Sequence, residues 1–284
     1  LAEVYHAELW GNRVGKNDFL ANGSIDSIDF KRVIYGPPFY FFEPQDHRAS
    51  VEYNKGFSTN EMFPINVTGI VTARDGFVLD IEKEALLSRI VDFSDPSKSD
   101  DEVRLKYFGS GNKGKYKRGD SRGWKLPHAR KTISGLDHSS NIQRMSYRPF
   151  DSRFIYYHPS MVDWGREKVM CHFLQGPNIG LISARSNKTP RVDHFYITRT
   201  VSEAKTGESS TQSLVYPLYL YPFHTAQSSA VAQSVQPNLD AKLVTQLAKG
   251  VGLTFTFNPE ALFVHGAGKE LTPLDVLDYC YAVL

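Results

Sequence analysis

The chain has 284 residues, 41% of them hydrophobic and 13% aromatic, with a formal net charge of +2; that is ample material for one large domain or two modest ones and excludes disorder throughout. Its two cysteines, Cys171 and Cys280, lie far apart with no Cys/His partner at metal-ligand spacing, which argues against a disulfide framework or structural zinc and predicts a reducing, cytoplasmic setting. No apolar run reaches membrane-spanning length and residues 1–10, with Glu3 and Glu8, lack a signal-peptide pattern, so no membrane partner is expected.

Residues 1–20 alternate apolar and charged side chains at helical spacing, broken at Gly11, and predict one or two helices. Residues 33–42 are β-branched and aromatic around Pro37 and Pro38, which confines them to an edge strand or an extended loop. Residues 66–79 predict two short strands about an Asp75-Gly76 turn, followed by a helix capped by Asp80. Ser99 and Glu102 form a capping box that opens a helix ending near Phe108. Residues 109–123 are glycine-rich and basic, the composition of an open surface loop.

Further on, Leu126-Pro127 predicts a helix start, and 143–147 with 154–157 predict strands flanking a turn at Pro149-Phe150-Asp151. Residues 163–174 predict a helix; 179–184, 192–198 and 214–221 predict strands, with a polar loop at 200–213. Residues 224–238 form the single low-complexity stretch and the best linker candidate. Helices capped by Asn238 and opened by Thr272-Pro273 follow. The chain starts without Met and stops inside a predicted helix, the pattern expected of a piece of a longer polypeptide. Strands and helices mix without a βαβ rhythm, so the expected class is α+β with a mixed sheet and packed helices.

The small net charge hides a contrast. From Arg104 to Lys131 ten Lys/Arg stand against Asp120 alone, a local balance of +9 that leaves the remainder at −7. Lys113, Lys115, Lys117, Arg118, Arg122 and Lys125 interleave with Tyr107, Phe108, Tyr116 and Trp124, the composition needed to hold phosphates and pack on sugars or bases. A solvated basic loop is the plainer reading of the same charges. A second positive group, Arg185, Lys188, Arg191, Arg199 and Lys205, lies among Ser, Thr and Gln, residue types that read base edges.

Catalytic motifs are weak by comparison. Gly109 to Lys115 fits GxxxxGK, but Tyr116 stands where Ser or Thr must ligate magnesium, and a helix precedes the loop instead of a strand. Gly36-Pro37-Pro38-Phe39 is similar to the Asn/Asp-Pro-Pro-Tyr/Phe motif of amino methyltransferases, yet glycine has no side chain to accept the amino hydrogen bond. Acid and lysine pairs such as Glu82/Lys83 and Glu167/Lys168 sit at spacings that place them on different helix faces. No catalytic residue and no metal site is expected in this chain.

The run Tyr147-Arg148-Pro149-Phe150-Asp151-x-Arg153-x-Ile155-Tyr156-Tyr157, with Met161-Val162-x-Trp164-x-Arg166 and Val169-Met170-x-His172, resembles the C-terminal part of single-polypeptide type I (type ISP) restriction-modification enzymes. Matches recur in order along the chain: Glu8-x-Trp10-Gly11, Pro37-Pro38-Phe39-Tyr40-x-Phe42, Gly69-Ile70-Val71-Thr72-x-Arg74-Asp75, Arg122-Gly123-Trp124-Lys125-Leu126, Tyr216-Pro217-Leu218-Tyr219-Leu220-Tyr221-Pro222 and Asp278-Tyr279-x-Tyr281-Ala282-Val283-Leu284. The resemblance implies a target-recognition domain without catalysis of its own, working on double-stranded DNA beside an upstream adenine-N6 methyltransferase domain of the same polypeptide. S-adenosylmethionine, ATP and Mg are implied for the parent enzyme and not for this chain.

The resemblance also implies boundaries: 1–22 a helical exit from the methyltransferase, 23–223 the recognition domain, 224–238 the linker-like segment and 239–284 a C-terminal helical part. Lys113, Lys115, Lys117, Arg118, Arg122 and Lys125 are the expected phosphate contacts. Arg185, Lys188, Arg199, Lys205, Ser209, Ser210, Thr211 and Gln212 are the expected base readers, with Arg74 and Arg148 as braces of the aromatic scaffold. The competing expectation is a protein-docking module whose basic loop faces an acidic partner or another domain of the parent chain.

Overall fold

A computed structural model describes residues 3–37, 40–44, 51–186, 194–222 and 234–283, in two compact units, Leu1–Phe57 and Ser58–Leu284. In the first, β1 (Tyr5–His6) pairs antiparallel with β2 (Lys31–Arg32). Between them runs α1 (Arg13–Asn22), started by Asn12, whose side chain accepts from the Gly15 amide at 2.9 Å. The described part of the segment expected to be one or two helices, residues 3–20, therefore holds one strand and one helix. Pro38 and Phe39 lie outside the described residues.

The larger unit begins with α2 (Thr59–Met62), opened by a Ser58/Glu61 capping box, and β3 (Val67–Thr68). The hairpin expected about Asp75-Gly76 does not form. Both Asp75 carboxylate oxygens are held, one by the Thr72 hydroxyl and one by Tyr147 Oη at 2.9 Å, and Asp75 instead starts the helical turn α3 (Asp75–Val78). Asp80, expected as a cap, lies in β4 (Leu79–Asp80) with its carboxylate on Arg89, and α4 (Lys83–Ser94) starts without a side-chain cap.

The Ser99/Glu102 box opens α5 (Asp100–Tyr107) as expected, with Ser99 Oγ accepting from the Glu102 amide at 3.2 Å. Inside the segment expected to be an open loop, β5 (Asn112–Lys113) and β6 (Tyr116–Lys117) form a hairpin. Next come α6 (Leu126–Ile133), with Pro127 in its first turn, then β7 (Ile142–Arg148) and β8 (Asp151–Tyr156), flanking the expected turn. The helix α7 (Glu167–Met170) is shorter than predicted, because Arg166 at φ 62 is left-handed and stops helix from extending upstream.

After β9 (Gly180–Ala184), β10 (Phe195–Thr198), β11 (Val201–Ser202) and β12 (Ser213–Pro217), β13 (Tyr219–Leu220) pairs with β14 (Gln236–Pro237). Residue 223 and residues 224–233 of the linker-like stretch lie outside the described residues. Its end is built into the fold: Asn238 is 1% exposed and donates to the Ile65 and Pro217 carbonyls at 2.7 and 2.8 Å. With its side chain so engaged, Asn238 cannot cap α8 (Ala241–Gly250). Asp240 does, accepting from Lys242 and Leu243 amides at 2.9 Å.

Two four-stranded sheets carry the unit. One runs β10-β9-β12-β3, antiparallel throughout; the other runs β11-β7-β8-β4, with β11 parallel to β7 and the remaining pairs antiparallel. With the helices this is the expected α+β class with a mixed sheet. One core joins them, from Leu86, Ile90 and Phe93 of α4 through Met145, Ile155 and Tyr156 to Ile182 and Val215. Residues 69 and 70 step from one sheet to the other: the Gly69 amide donates to Ser213 at 3.2 Å and that of Ile70 to Ser202 at 2.8 Å. A Cβ at Gly69 would lie 2.4 Å from the Glu203 carbonyl oxygen, so the crossing requires glycine.

Candidate nucleic-acid interface

The basic island divides by burial into two kinds of cation. Arg104 and Arg130 are internal, 6% and 8% exposed. Arg104 donates to Asp120 at 2.8 Å and to the Arg118 carbonyl, and Asp120 in turn accepts from the Leu126 amide at 3.1 Å. Arg130 gathers the carbonyls of Phe93, Asp95 and Lys98 at 2.7 to 2.8 Å and the Asp100 carboxylate. These two guanidiniums bind the β5–β6 segment and α6 to the body and are not available to a ligand.

Lys113, Lys115, Lys117, Arg118, Arg122 and Lys125 are all exposed. Among the described residues only Lys117 of these six has an ion-pair partner, Asp101 at 3.4 Å, and both of those side chains are solvated. The hairpin turns at Gly114, φ 62, and carries Lys115 at its tip. Tyr116 lies beneath two ammonium groups, Lys125 at 4.2 Å and Lys115 at 5.4 Å from its ring. The GxxxxGK run is thus a hairpin turn, with no helix following its lysine.

The aromatic half of the expectation needs correcting. Trp124 is buried at 5% exposure, its indole donates to the Ser160 carbonyl at 2.6 Å and the Arg74 guanidinium covers it at 4.3 Å. Phe108 packs on Phe77 and Trp124, and Tyr107 bonds Asp92 at 2.6 Å. All three are committed to core packing because the same α5–α6 region that carries the charges must also bury its apolar face. Among the described residues Tyr116 stays with the exposed cations of the hairpin, and Tyr107, though packed inward, meets the Lys106 ammonium at 5.2 Å. Arg74 does brace the scaffold, also paired to Asp163 at 2.6 Å; burial pushes its pKa down and Asp163 opposes that.

The second positive group separates into three places. At the end of β9, the exposed Arg185 donates its amide to Gln212 at 3.0 Å, and Ser186 Oγ reaches Thr211 at 3.4 Å, so Arg185, Thr211 and Gln212 lie together. Ser209 and Ser210 are exposed, yet both hydroxyls turn to Glu208, at 3.5 and 2.5 Å. Bonds from the Ser210 hydroxyl and amide hold Glu208 below the usual carboxylate range. Arg199 lies over the Phe263 ring at 5.1 Å. Lys205 is exposed, and its amide donates to Glu203 at 2.6 Å. Lys188 and Arg191 lie outside the described residues. Among the described residues no hydrogen bond, ion pair or ring contact joins this group to the island.

Arg148 braces the aromatic scaffold as expected, in a clamp beneath the β7–β8 turn whose other members, Arg153, Asp75 and Glu203, sequence reading missed. The Tyr147 ring sits between Arg148 at 3.9 Å and Arg153 at 4.0 Å, its hydroxyl on Asp75. Arg148 pairs with Glu203 at 2.5 Å and Arg153 with Asp151 at 2.8 Å. Burial pushes the Glu203 carboxyl up despite Arg148. At the tip above this clamp Phe150 is completely exposed. An aromatic next to proline in a hairpin turn was the available signal.

The family model of the Type ISP C-terminal specificity domain matches residues 61–284. The chain belongs to the Type ISP C-terminal specificity domain family. Solved structures similar to this specificity domain include a DrdV–DNA complex (14% identity, TM-score 0.53, 89% of this chain and 25% of that one). A nuclease-deletion mutant of the Type ISP restriction-modification enzyme LlaGI in complex with a DNA substrate mimic matches at 18% identity and TM-score 0.52, over 88% of this chain and 20% of that one. The ATP-dependent Type ISP restriction-modification enzyme LlaBIII bound to DNA matches at 14% and 0.50, over 84% and 15%. The specificity domain spans a quarter or less of these chains, and at such identities the likeness is one of fold. No curated protein matches the sequence. Among the described residues no helix is long and apolar enough to cross a membrane, and no three His, Cys, Asp or Glu side chains gather as a metal site.

Proposed function

We propose that this specificity domain reads double-stranded DNA for a restriction-modification polypeptide, gripping phosphates with the β5–β6 hairpin and reading base edges with the Arg185, Thr211 and Gln212 surface. The observation that carries the reading is the set of six exposed cations on and after the hairpin, five of them without an ion-pair partner among the described residues, in a chain of a specificity-domain family. A surface of that kind neutralises phosphates and releases counterions. The solved structures of similar fold that hold DNA support the same reading.

On this reading the partner in the same polypeptide is an upstream adenine-N6 methyltransferase domain, and the whole works in the cytoplasm. S-adenosylmethionine, ATP and Mg belong to the parent's other domains. The described residues provide no cluster suited to a metal, so no step of the reading passes through them.

Selection of duplexes from a randomised pool by the 284-residue chain, followed by affinity measured against salt, tests the proposal. One enriched sequence with a steep negative log-log salt slope is expected. Salt-insensitive binding, or none, overturns it. Arg185→Ala is expected to relax preference at one base pair, a discrimination worth about 1–3 kcal/mol. Uniform loss across all sequences would remove Arg185 from the reading surface.

A further inference from the structure

The tip of the β7–β8 hairpin is built against its own local chemistry. Arg148 pairs with Asp151 across the turn, leaving Pro149 and Phe150 as its two central residues. Proline fixes the first of these near φ −65°, and Phe150 follows at φ 60. That is the pattern of a type II turn, whose second central position favours glycine because an L side chain is strained there. Instead the position holds a phenylalanine with 101% of its surface exposed, whose ring neighbour among the described residues is the Tyr196 edge at 6.1 Å. Neither backbone preference nor burial accounts for it, and strained outliers of this kind concentrate at functional sites.

Its mount is stiff. Tyr147, directly below, is fixed by Asp75 and by two guanidiniums, and each of those is neutralised by its own carboxylate, Glu203 or Asp151. The tip therefore offers an apolar ring on a charge-balanced base, unsuited to phosphate and suited to a flat apolar face. The Tyr196 ring beside Phe150 belongs to β10, which pairs with β9, the strand that leads into Arg185 of the surface assigned above to base reading.

We propose that Phe150 is a wedge that enters a base step of the bound duplex and unstacks it, adding a contact that favours deformable steps to the edge reading by Arg185 and Gln212. This rests on the DNA-reading function proposed above. The wedge distinguishes sequences by the ease of opening a step, pyrimidine–purine steps being the easiest.

The test uses the full 284-residue chain and a duplex it selects from a randomised pool, with 2-aminopurine placed in turn at each adenine. Binding is expected to raise fluorescence severalfold at positions flanking one step, and Phe150→Ala is expected to abolish the rise and weaken affinity while retaining the salt slope. Phe150→Trp, which keeps a flat ring, should restore the rise. If the chain binds with a steep salt slope but no position brightens, or if Phe150→Ala brightens it equally, the wedge is overturned and the reader stands. Absence of salt-dependent duplex binding overturns both. Circular dichroism and thermal melting of the variants guard against loss of fold, which a fully solvated side chain should not affect.

Discussion

Arg104 is the residue on which the phosphate-gripping surface depends without belonging to it. Its side chain and that of Asp120 are 7% and 10% exposed, and Arg104 Nε has no partner among the described residues, so Asp120 supplies the main compensation for a buried charge. Removing one member of such a pair leaves the other uncompensated, which costs far more than the net worth of the pair. Asp120→Ala is expected to destabilise the unit by about 3–5 kcal/mol in chemical denaturation, and the absence of its bond to the Leu126 amide also uncaps α6. A destabilisation similar to that of an exposed carboxylate such as Asp101→Ala would show that Arg104 finds water in place of its partner. A second residue-scale demand is steric. Gly69→Ala places a Cβ against the Glu203 backbone, and about 1–3 kcal/mol of overpacking should appear as a lower melting temperature together with altered hydrogen exchange in residues 203–206.

At the scale of elements, the hairpin β5–β6 and the helix α6 divide the work of holding and gripping. Replacing Lys113, Lys115 and Lys117 together by Ala removes exposed cations only, so the melting temperature should be unchanged while affinity falls alike on all duplexes. The log-log salt slope should shrink by about 0.9 for each phosphate that is no longer neutralised. An unchanged slope would place the phosphate-binding cations elsewhere. The sequence showed which residues are cationic and that they cluster, because charge and spacing are local properties. It could not show which cations are spent on carbonyls and carboxylates, as Arg104 and Arg130 are, or that Trp124 and Phe108 face inward, because those depend on partners 14 or more residues distant, such as Arg118, Phe93 and Ser160. Capping boxes were legible at Ser99, where both partners lie within one turn. Asp75 and Asp80 misled for the same reason in reverse: their carboxylates are claimed by Tyr147 and Arg89, and a residue that fits a turn or cap is drawn away by a tertiary partner.

For the whole molecule, the family was legible because its motifs recur in order over the chain, whereas the closure of the larger unit was not. That closure uses polar side chains that tie distant segments, Asn238 between Ile65 and Pro217, and Asp275 at the start of α9 (Pro273–Val283). Burial alone would raise the Asp275 pKa, but amide bonds from Thr272 and Gly266 at 2.8 Å, with His265 and the Thr272 hydroxyl, outweigh it and hold the carboxyl at about 2, below its usual 3.8. A depressed pKa means that the unfolded chain takes up this proton first, so the contribution is full above about pH 4 and is lost as pH falls toward 2. Its size is on the order of 2 kcal/mol. Asp275→Asn should therefore be less stable than the parent at pH 7, with the difference in denaturation free energy narrowing steadily between pH 4 and 2. A difference that stayed constant through that window would mean that the carboxylate charge contributes nothing and that the bonds alone hold residues 265–272 onto the helix.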